Sequence, residues 1–428
     1  MRKLVPFLLL GLAAASPAPA AEPQGAAATG HYRNLFAELL GKSDAEVSAK
    51  IDAAFHQLFY GDENSQRLFY PIGDGSMAYV PDVANNDVRT EGLSYAMMIC
   101  VQTNHQKEFN QVWKFAKTYM WHASGPFAGY FTWHVAFNGH KLRDVGPAPD
   151  GEEWFTMALF FAAHRWGSND VGRGLPLPPE SAGRTSPAEN IFNYSAEAQA
   201  ILHTMLHKHD EPGHGIVGDM FDRDAKEVVF VPEQWRDRFT DPSYHLPMFY
   251  ELWARWAADP ADRTFLAGVA KTSRDIFQKA ANPQTGLMPD TTNFDGTPYA
   301  RWGGPSEFRY DAWRTLAYPA LDWSWWAADP REIAQSNRVL TFLASHGANI
   351  PDRYKIDGTP VSTDMNTPGL TATSAVAGLA ADPAIAKPFV QRLWDQPMPT
   401  GRKRYYDGLL TMLALLECSG QFQIYNPR

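Results

Sequence analysis

Cysteine is nearly absent from this chain. Cys100 and Cys418 are the only two in 428 residues, too few for a disulfide framework or a zinc cluster. They leave either one bridge between them or, the preferred reading, two buried thiols acting as small core residues. Positive charge is scarce as well: 38 Lys and Arg against 47 Asp and Glu give a formal net charge of −9. With no basic patch, nucleic acid and an anionic membrane surface are excluded as partners. Long apolar runs are missing after the first residues, so no later stretch reads as a transmembrane segment. No unit recurs at a fixed period, which argues against a solenoid. His203 and His207 stand four apart on one helix face, but no HExxH pattern or neighbouring acid completes a metal set, and neither metal nor cofactor is expected. Gly92-Leu93-Ser94-Tyr95-Ala96 lacks the second glycine and the preceding strand of a nucleophile elbow.

What is abundant is apolar and aromatic. Hydrophobic residues make up 45% and aromatics 13%, with 14 Trp, enough for a sizeable core and for ring faces that stack on sugars. Met1-Arg2-Lys3, the apolar run Leu4 to Ala15 and the small residues up to Ala21 read as a signal peptide cleaved after Ala20 or Ala21. Residues 1–21 are therefore expected to be a leader and 22–428 a single exported domain, which is also expected to be monomeric.

Helical signals then dominate, and twelve helices can be placed. They begin near Ser43, Thr90, Gln106, Asp150, Pro187, Ser243, Asp262, Tyr310, after Asp329-Pro330, and at Pro368, Ala384 and Arg404. Long connections alternate with tight ones, except for a longer loop between the fourth and fifth. The second, eighth, tenth and twelfth helices are apolar nearly all round, whereas the third, seventh and ninth keep a charged face. Hairpins of this kind predict an all-α (α/α)6 barrel, with six inner and six outer helices and a cleft at one loop-rich mouth.

If the even helices are the inner set, their first turns meet at that mouth. Thr90 reads as an N-cap, which puts Glu91 at the first helical position. Asp150-Gly151-Glu152-Glu153 opens the fourth helix, Tyr244-His245 the sixth, Tyr310-Asp311-Ala312-Trp313-Arg314 the eighth and Tyr405-Tyr406-Asp407 the twelfth. One such acid is an ordinary helix start. Three converging on one cleft favour glycosidic chemistry, in which one carboxylic acid protonates the leaving oxygen and a second carboxylate activates water.

Arg89-Thr90-Glu91-Gly92-Leu93-Ser94-Tyr95-Ala96-Met97-Met98, Asp150-Gly151-Glu152-Glu153 and Tyr310-Asp311-Ala312-Trp313-Arg314 resemble the signature stretches of glycoside hydrolase family eight. The likeness runs from about Tyr32 to Tyr425. It implies an (α/α)6 barrel and inversion at the sugar carbon. By the same resemblance Glu91 matches the general acid and Asp311 the general base. Asp150 matches the acid that binds the central sugar and helps order the water, and Arg314 with Tyr405 or Tyr406 matches residues that support that sugar. Arg314, three residues beyond Asp311, can keep the base ionised. Trp133 and Tyr130 are candidates for stacking on sugar.

Pro147-Ala148-Pro149-Asp150-Gly151-Glu152-Glu153-Trp154-Phe155, with Ala162 to Gly167, is most similar to the xylan-acting branch. The implied partner is xylan or a xylo-oligosaccharide, cleaved with release of xylose from the reducing end. Exo members of that branch carry a Leu-His-Pro loop. Here the matching region reads Ser362-Thr363-Asp364-Met365-Asn366-Thr367-Pro368-Gly369, with no histidine, so an open cleft of an endo-acting xylanase is the alternative. An acidic mouth speaks against a polysaccharide lyase, which needs cations beside its uronate. The pairing of Glu91 with Asp311 speaks against a non-catalytic glycan-binding protein.

Overall fold

A computed structural model describes residues 23–137, 143–168, 191–233, 238–299 and 306–427. The expected leader over 1–21, the Pro176–Pro179 loop and the start of the fifth helix at Pro187 lie outside the described residues.

After two short helices, Ala26–Thr29 and Leu35–Leu40, twelve longer ones follow among the described residues. They are α1 (Asp44–Tyr60), α2 (Thr90–Gln102), α3 (Gln106–Tyr119), α4 (Pro149–Trp166), α5 (Tyr194–His207), α6 (Pro247–Trp256), α7 (Pro260–Ala280), α8 (Arg314–Trp326), α9 (Arg331–Ala344), α10 (Pro368–Ala377), α11 (Pro383–Asp395) and α12 (Tyr406–Cys418). The even helices form an inner ring in which α2 packs on α4, α6 on α8, α8 on α10, α10 on α12 and α12 on α2. Side chains bridge the remaining step: the Tyr250 hydroxyl of α6 donates to the Glu153 carboxyl of α4, and Trp154 meets Phe249 edge-on at 5.1 Å. Each odd helix packs outside the ring against an even neighbour. This is the expected (α/α)6 barrel.

Sequence decides which helix lies inside. Every residue of α2 except Glu91 is buried, and every residue of α12 except Tyr406, because a helix flanked on both sides has no face to give to water. The outer α7, by contrast, leaves Arg263, Thr264, Ala267, Lys271 and Lys279 exposed, whereas the charged face expected of α3 is largely buried, Glu108, Lys114 and Lys117 included. Trp154 closes the axis beneath the mouth, with Tyr95 at 4.8 Å and Phe249 at 5.1 Å around it. Burial of each such ring contributes roughly 1.5–3 kcal/mol.

The helix starts differ by layer. Three of the six outer helices are capped by a side chain, α1 through a Ser43–Glu46 capping box, α5 by Asn193 and α7 by Asp259 just before Pro260, while α3, α9 and α11 are not. None of the six inner helices has a side-chain N-cap. Their N-terminal turns open toward the mouth instead, where N–H groups and the positive helix ends are available to acids. The predicted Thr90 cap is thus corrected. Thr90 is already helical, its hydroxyl lies 3.5 Å from the Trp133 carbonyl, and it packs where a Cβ on Gly151 would sit. Tyr244 and His245 likewise precede α6, with Tyr244 in a 3-10 turn over Pro242–Tyr244.

The long connections fold over the mouth as short antiparallel pairs. Tyr70–Ile72 pairs with Met77–Tyr79 around Gly73 and Gly75, both at positive φ, as a tight hairpin turn favours. Pro81–Asp82, Asp87–Arg89 and His134–Ala136 form a three-stranded sheet that feeds directly into α2. In the connection between α5 and α6, Phe221–Asp222 pairs with Glu227–Val228. Cys100 and Cys418 are free and buried, the second of the two readings above. Among the described residues, no helix is long and apolar enough to cross a membrane.

Candidate active site

Above Trp154 the mouth encloses a cleft of about 530 Å³, lined by the first turns of α2, α4 and α12, by the 3-10 turn Tyr310–Trp313 before α8 and by neighbouring loops. Glu91, Asp150, Asp311, Tyr405, Tyr406 and Trp133 all line it.

One buried cation organises the acids. The Arg314 guanidinium is 1% exposed, and its Nη1 donates to Glu91 Oε1 at 3.1 Å, Asp150 Oδ2 at 3.2 Å and the Tyr95 hydroxyl at 2.7 Å. Its Nη2 donates to Ser243 Oγ at 2.8 Å and stands 3.4 Å from Asp311 Oδ1. The expected pairing of Arg314 with Asp311 is present, and its carboxylate contacts to Glu91 and Asp150 are closer still. The spacing could not reveal this, because those two acids arrive from other helices. Glu91 Oε1 and Asp311 Oδ1 thus each stand within 3.4 Å of one guanidinium, which ties the two acids to a common cation.

The two carboxyls of that pair live in different surroundings. The Glu91 side chain is 14% exposed and that of Asp311 42%. Burial pushes Glu91 up to about 8; Arg314 opposes this, while Asp311 and Asp150 reinforce it. Tyr405 Oη donates to Glu91 Oε2 at 3.2 Å. Gly92 is required beside it, since a Cβ there would collide with the Tyr405 ring. Burial likewise lifts Asp150 to about 6, again opposed by Arg314, and its Oδ1 accepts the Gly151 N–H at 2.9 Å. Asp311 sits in a 3-10 turn entered through Tyr310, a non-glycine residue at φ 36°. Tyr406 Oη donates to the Tyr310 carbonyl at 3.0 Å and lies 3.4 Å from Asp311 Oδ1. That strained turn directs the Asp311 carboxyl toward solvent, and Tyr406 holds it there.

Trp133 forms one wall, stacked on His134 at 3.5 Å with Arg89 5.5 Å from its ring. Arg89 is held by Asp82 at 3.2 Å and Asp87 at 3.0 Å. Tyr130 is not part of the cleft, which corrects its reading as a stacking residue. It is wholly buried, and its hydroxyl donates to the carbonyls of Thr204 at 3.1 Å and Gly218 at 3.0 Å. Tyr130→Phe should therefore lower stability by about 1–3 kcal/mol, because those buried carbonyls lose their donor. Thermal unfolding would read the loss, and KM should not move.

Sequence reading overlooked Trp313, Asp352 and Arg353. Trp313 lies in the cleft wall, its Nε1 donating to the Asp352 carbonyl at 2.8 Å. The Asp352 carboxylate accepts from Thr367 Oγ1 at 3.0 Å, fixing the loop before α10. Trp313 stood inside a quoted motif and could have been found. Asp352 and Arg353 sit on an irregular loop with no periodicity to flag them.

A helical barrel whose mouth opposes a buried, protonated carboxylic acid to an exposed carboxylate is the site of an acid/base glycosidase. The chain belongs to glycosyl hydrolase family 8, whose family model matches residues 74–173 and 225–420. It is 42% identical over 405 residues to the reducing-end xylose-releasing exo-oligoxylanase Rex8A of Paenibacillus barcinonensis, covering 94% of this chain and 99% of that one. It is 40% identical to a reducing end xylose-releasing exo-oligoxylanase of Halalkalibacterium halodurans, over 94% of this chain and 97% of the relative. A catalytic mutant of a family 8 xylanase from Teredinibacter turnerae, solved in complex with xylohexaose, superposes with a TM-score of 0.85 at 42% identity. That match covers 94% of this chain and 100% of the other.

Proposed function

We infer that the protein is an inverting glycosidase that cleaves β-1,4-xylosidic bonds in xylo-oligosaccharides and releases xylose from the reducing end. The observation that carries the chemistry is the Glu91 carboxyl, raised to about 8 and joined through Arg314 to the exposed Asp311. Glu91, protonated at neutral pH, gives its proton to the glycosidic oxygen as the bond to the anomeric carbon breaks. Asp311 takes a proton from the water that attacks the opposite face of the ring. Asp150 accepts from a hydroxyl of the central sugar and helps order that water. Arg314 fixes Glu91 and Asp150 relative to one another, and Tyr405 and Tyr406 orient the acid and the base. Trp133 offers its face to a xylose ring. We further propose that it is exported, on the leader-like residues Met1 to Ala21, and that it acts as a monomer.

The substrate class rests on the 40–42% identity to two exo-oligoxylanases. A second reading, an endo-acting xylanase, is favoured by the loop from Ser362 to Thr367. It borders the cleft through Ser362, Asp364 and Thr367 and contains no histidine. Xylohexaose labelled at its reducing end separates the two. Early labelled xylose with unlabelled xylopentaose supports reducing-end release; labelled xylobiose and xylotriose, with mid-sized fragments from polymeric xylan, would replace it with endo action.

Two further outcomes follow. The alkaline limb of kcat/KM should have a midpoint near 8, because activity is lost as Glu91 deprotonates. A pH–rate profile flat to pH 10 would remove Glu91 from the acid role. Trp133→Ala should raise KM about 10-fold or more, from the loss of ~1–3 kcal/mol of ring stacking, with kcat less affected; initial-rate kinetics on xylotetraose read both.

A further inference from the structure

Two histidines left without a metal partner by the sequence acquire one in the fold. His203 and His207 stand one turn apart on α5, their rings stacked at 4.7 Å and 27°. The third group comes from α7, 55 residues further along the chain: Asp262, in the first helical turn, places Oδ1 2.8 Å from His207 Nε2. One donor atom from each of the three lies within 4.8 Å of the other two. None of the three lines the cleft.

We propose that His203, His207 and Asp262 form a binding site for a divalent transition-metal ion, zinc(II) being the probe of choice, which cross-links α5 to α7. Two neutral imidazoles and a carboxylate are a donor set that zinc accepts as three protein ligands with water in the fourth position. Tetrahedral ligand bonds of about 2.0–2.2 Å set donors roughly 3.4 Å apart, so His203 must close in while His207 Nε2 and Asp262 Oδ1, at 2.8 Å, ease slightly apart. His207 and Asp262 are already within that reach, and His203 is exposed and free to turn.

Surrounding groups favour the loaded form on one side and oppose it on the other. Asp210 Oδ2 lies 3.4 Å from His207 Nδ1, placed to accept the N–H that a metal on Nε2 leaves on Nδ1. Arg223 Nη2 lies 3.2 Å from the same nitrogen, and on loading it must give up that contact and stay with Asp219, whose Oδ2 is 3.4 Å from Arg223 Nε. Nitrogen donors select zinc, nickel or copper over magnesium or calcium, which prefer all-oxygen shells. Because the three ligands meet only in the folded chain, metal binding stabilises the fold and leaves the chemistry at Glu91 untouched.

The test is a zinc titration of the untagged, chelator-stripped enzyme by calorimetry, with thermal unfolding at each zinc concentration. One zinc per chain, a Tm that climbs with zinc but not with magnesium, and unchanged xylo-oligosaccharide hydrolysis are expected. His203→Ala, at an exposed position where folding is not at stake, should weaken binding by at least about tenfold, while His214→Ala should bind as the parent does. Zinc binding unchanged in His203→Ala would assign the metal to other residues and overturn the proposal. So would the absence of saturable binding at micromolar zinc in the parent enzyme.

Discussion

Glu91→Gln should lower kcat on xylotetraose by about 10²–10⁴, the usual worth of a positioned general acid. The loss should nearly vanish with β-xylobiosyl fluoride, whose leaving group departs without a proton. That contrast separates proton donation from a generally damaged site. The same substitution should stabilise the protein, with a pH dependence of known sign. Burial raises the Glu91 carboxyl from its ordinary range to about 8, so the folded state prefers the neutral form. Stability from this group is complete at pH values below the unfolded carboxyl's titration. It declines as pH rises toward 8, because the unfolded chain releases the proton first. Glutamine carries no such dependence. The Tm gain of Glu91→Gln should therefore be small near pH 4 and largest above pH 8, measured by calorimetry across that range. A carboxylate retained only for stability through Arg314 would give the opposite trend.

Asp311→Ala carries the second large expectation. Removing the base should again lower kcat by about 10²–10⁴, but the loss should be partly reversed by azide. A small anion fits the space left by the carboxylate and attacks the anomeric carbon directly, without needing a base, so the product should be the α-glycosyl azide. Azide should not restore Glu91→Ala on a natural oligosaccharide, where the missing element is the acid. Equal rescue of both variants, or of neither, would remove the division of labour between these residues.

How much of this could be read from the chain depends on what kind of contact each residue makes. The barrel was legible because α2, α8, α10 and α12 are apolar nearly all round, a pattern that needs no tertiary knowledge. Glu91, Asp150 and Asp311 were legible as first-turn acids of helices whose starts share one end. The role of Arg314 was read too locally. Its i, i+3 relation to Asp311 is visible in sequence, but its contacts at 3.1 and 3.2 Å to Glu91 and Asp150 come from α2 and α4. Tyr130 shows the limit for loops. A ring beside Trp133 in an irregular segment has no periodicity to say which of the two faces the cleft. In the fold Tyr130 turns inward to two carbonyls, while Trp133 is braced outward by His134 and Arg89. Asp262 was hidden for the same reason as the partners of Arg314, since nothing local ties it to His207.

The loop near Asn366 explains why the exo and endo readings stay close in sequence. Asn366 adopts φ 51°, its side chain donating to the Ala348 carbonyl at 2.8 Å and accepting the Ile350 N–H at 3.1 Å. The segment is thus pinned from behind, and it presents Ser362, Asp364 and Thr367 to the cleft.

Inversion by Glu91 and Asp311 is the central claim, and the anomer of the newly formed reducing end tests it most directly. Proton NMR during the first minutes of xylotetraose hydrolysis, before mutarotation, should show the α-anomer accumulating first on the shortened oligosaccharide. Initial appearance of the β-anomer would mean retention through a covalent intermediate, and would contradict the assignment of Asp311 as a base acting on water.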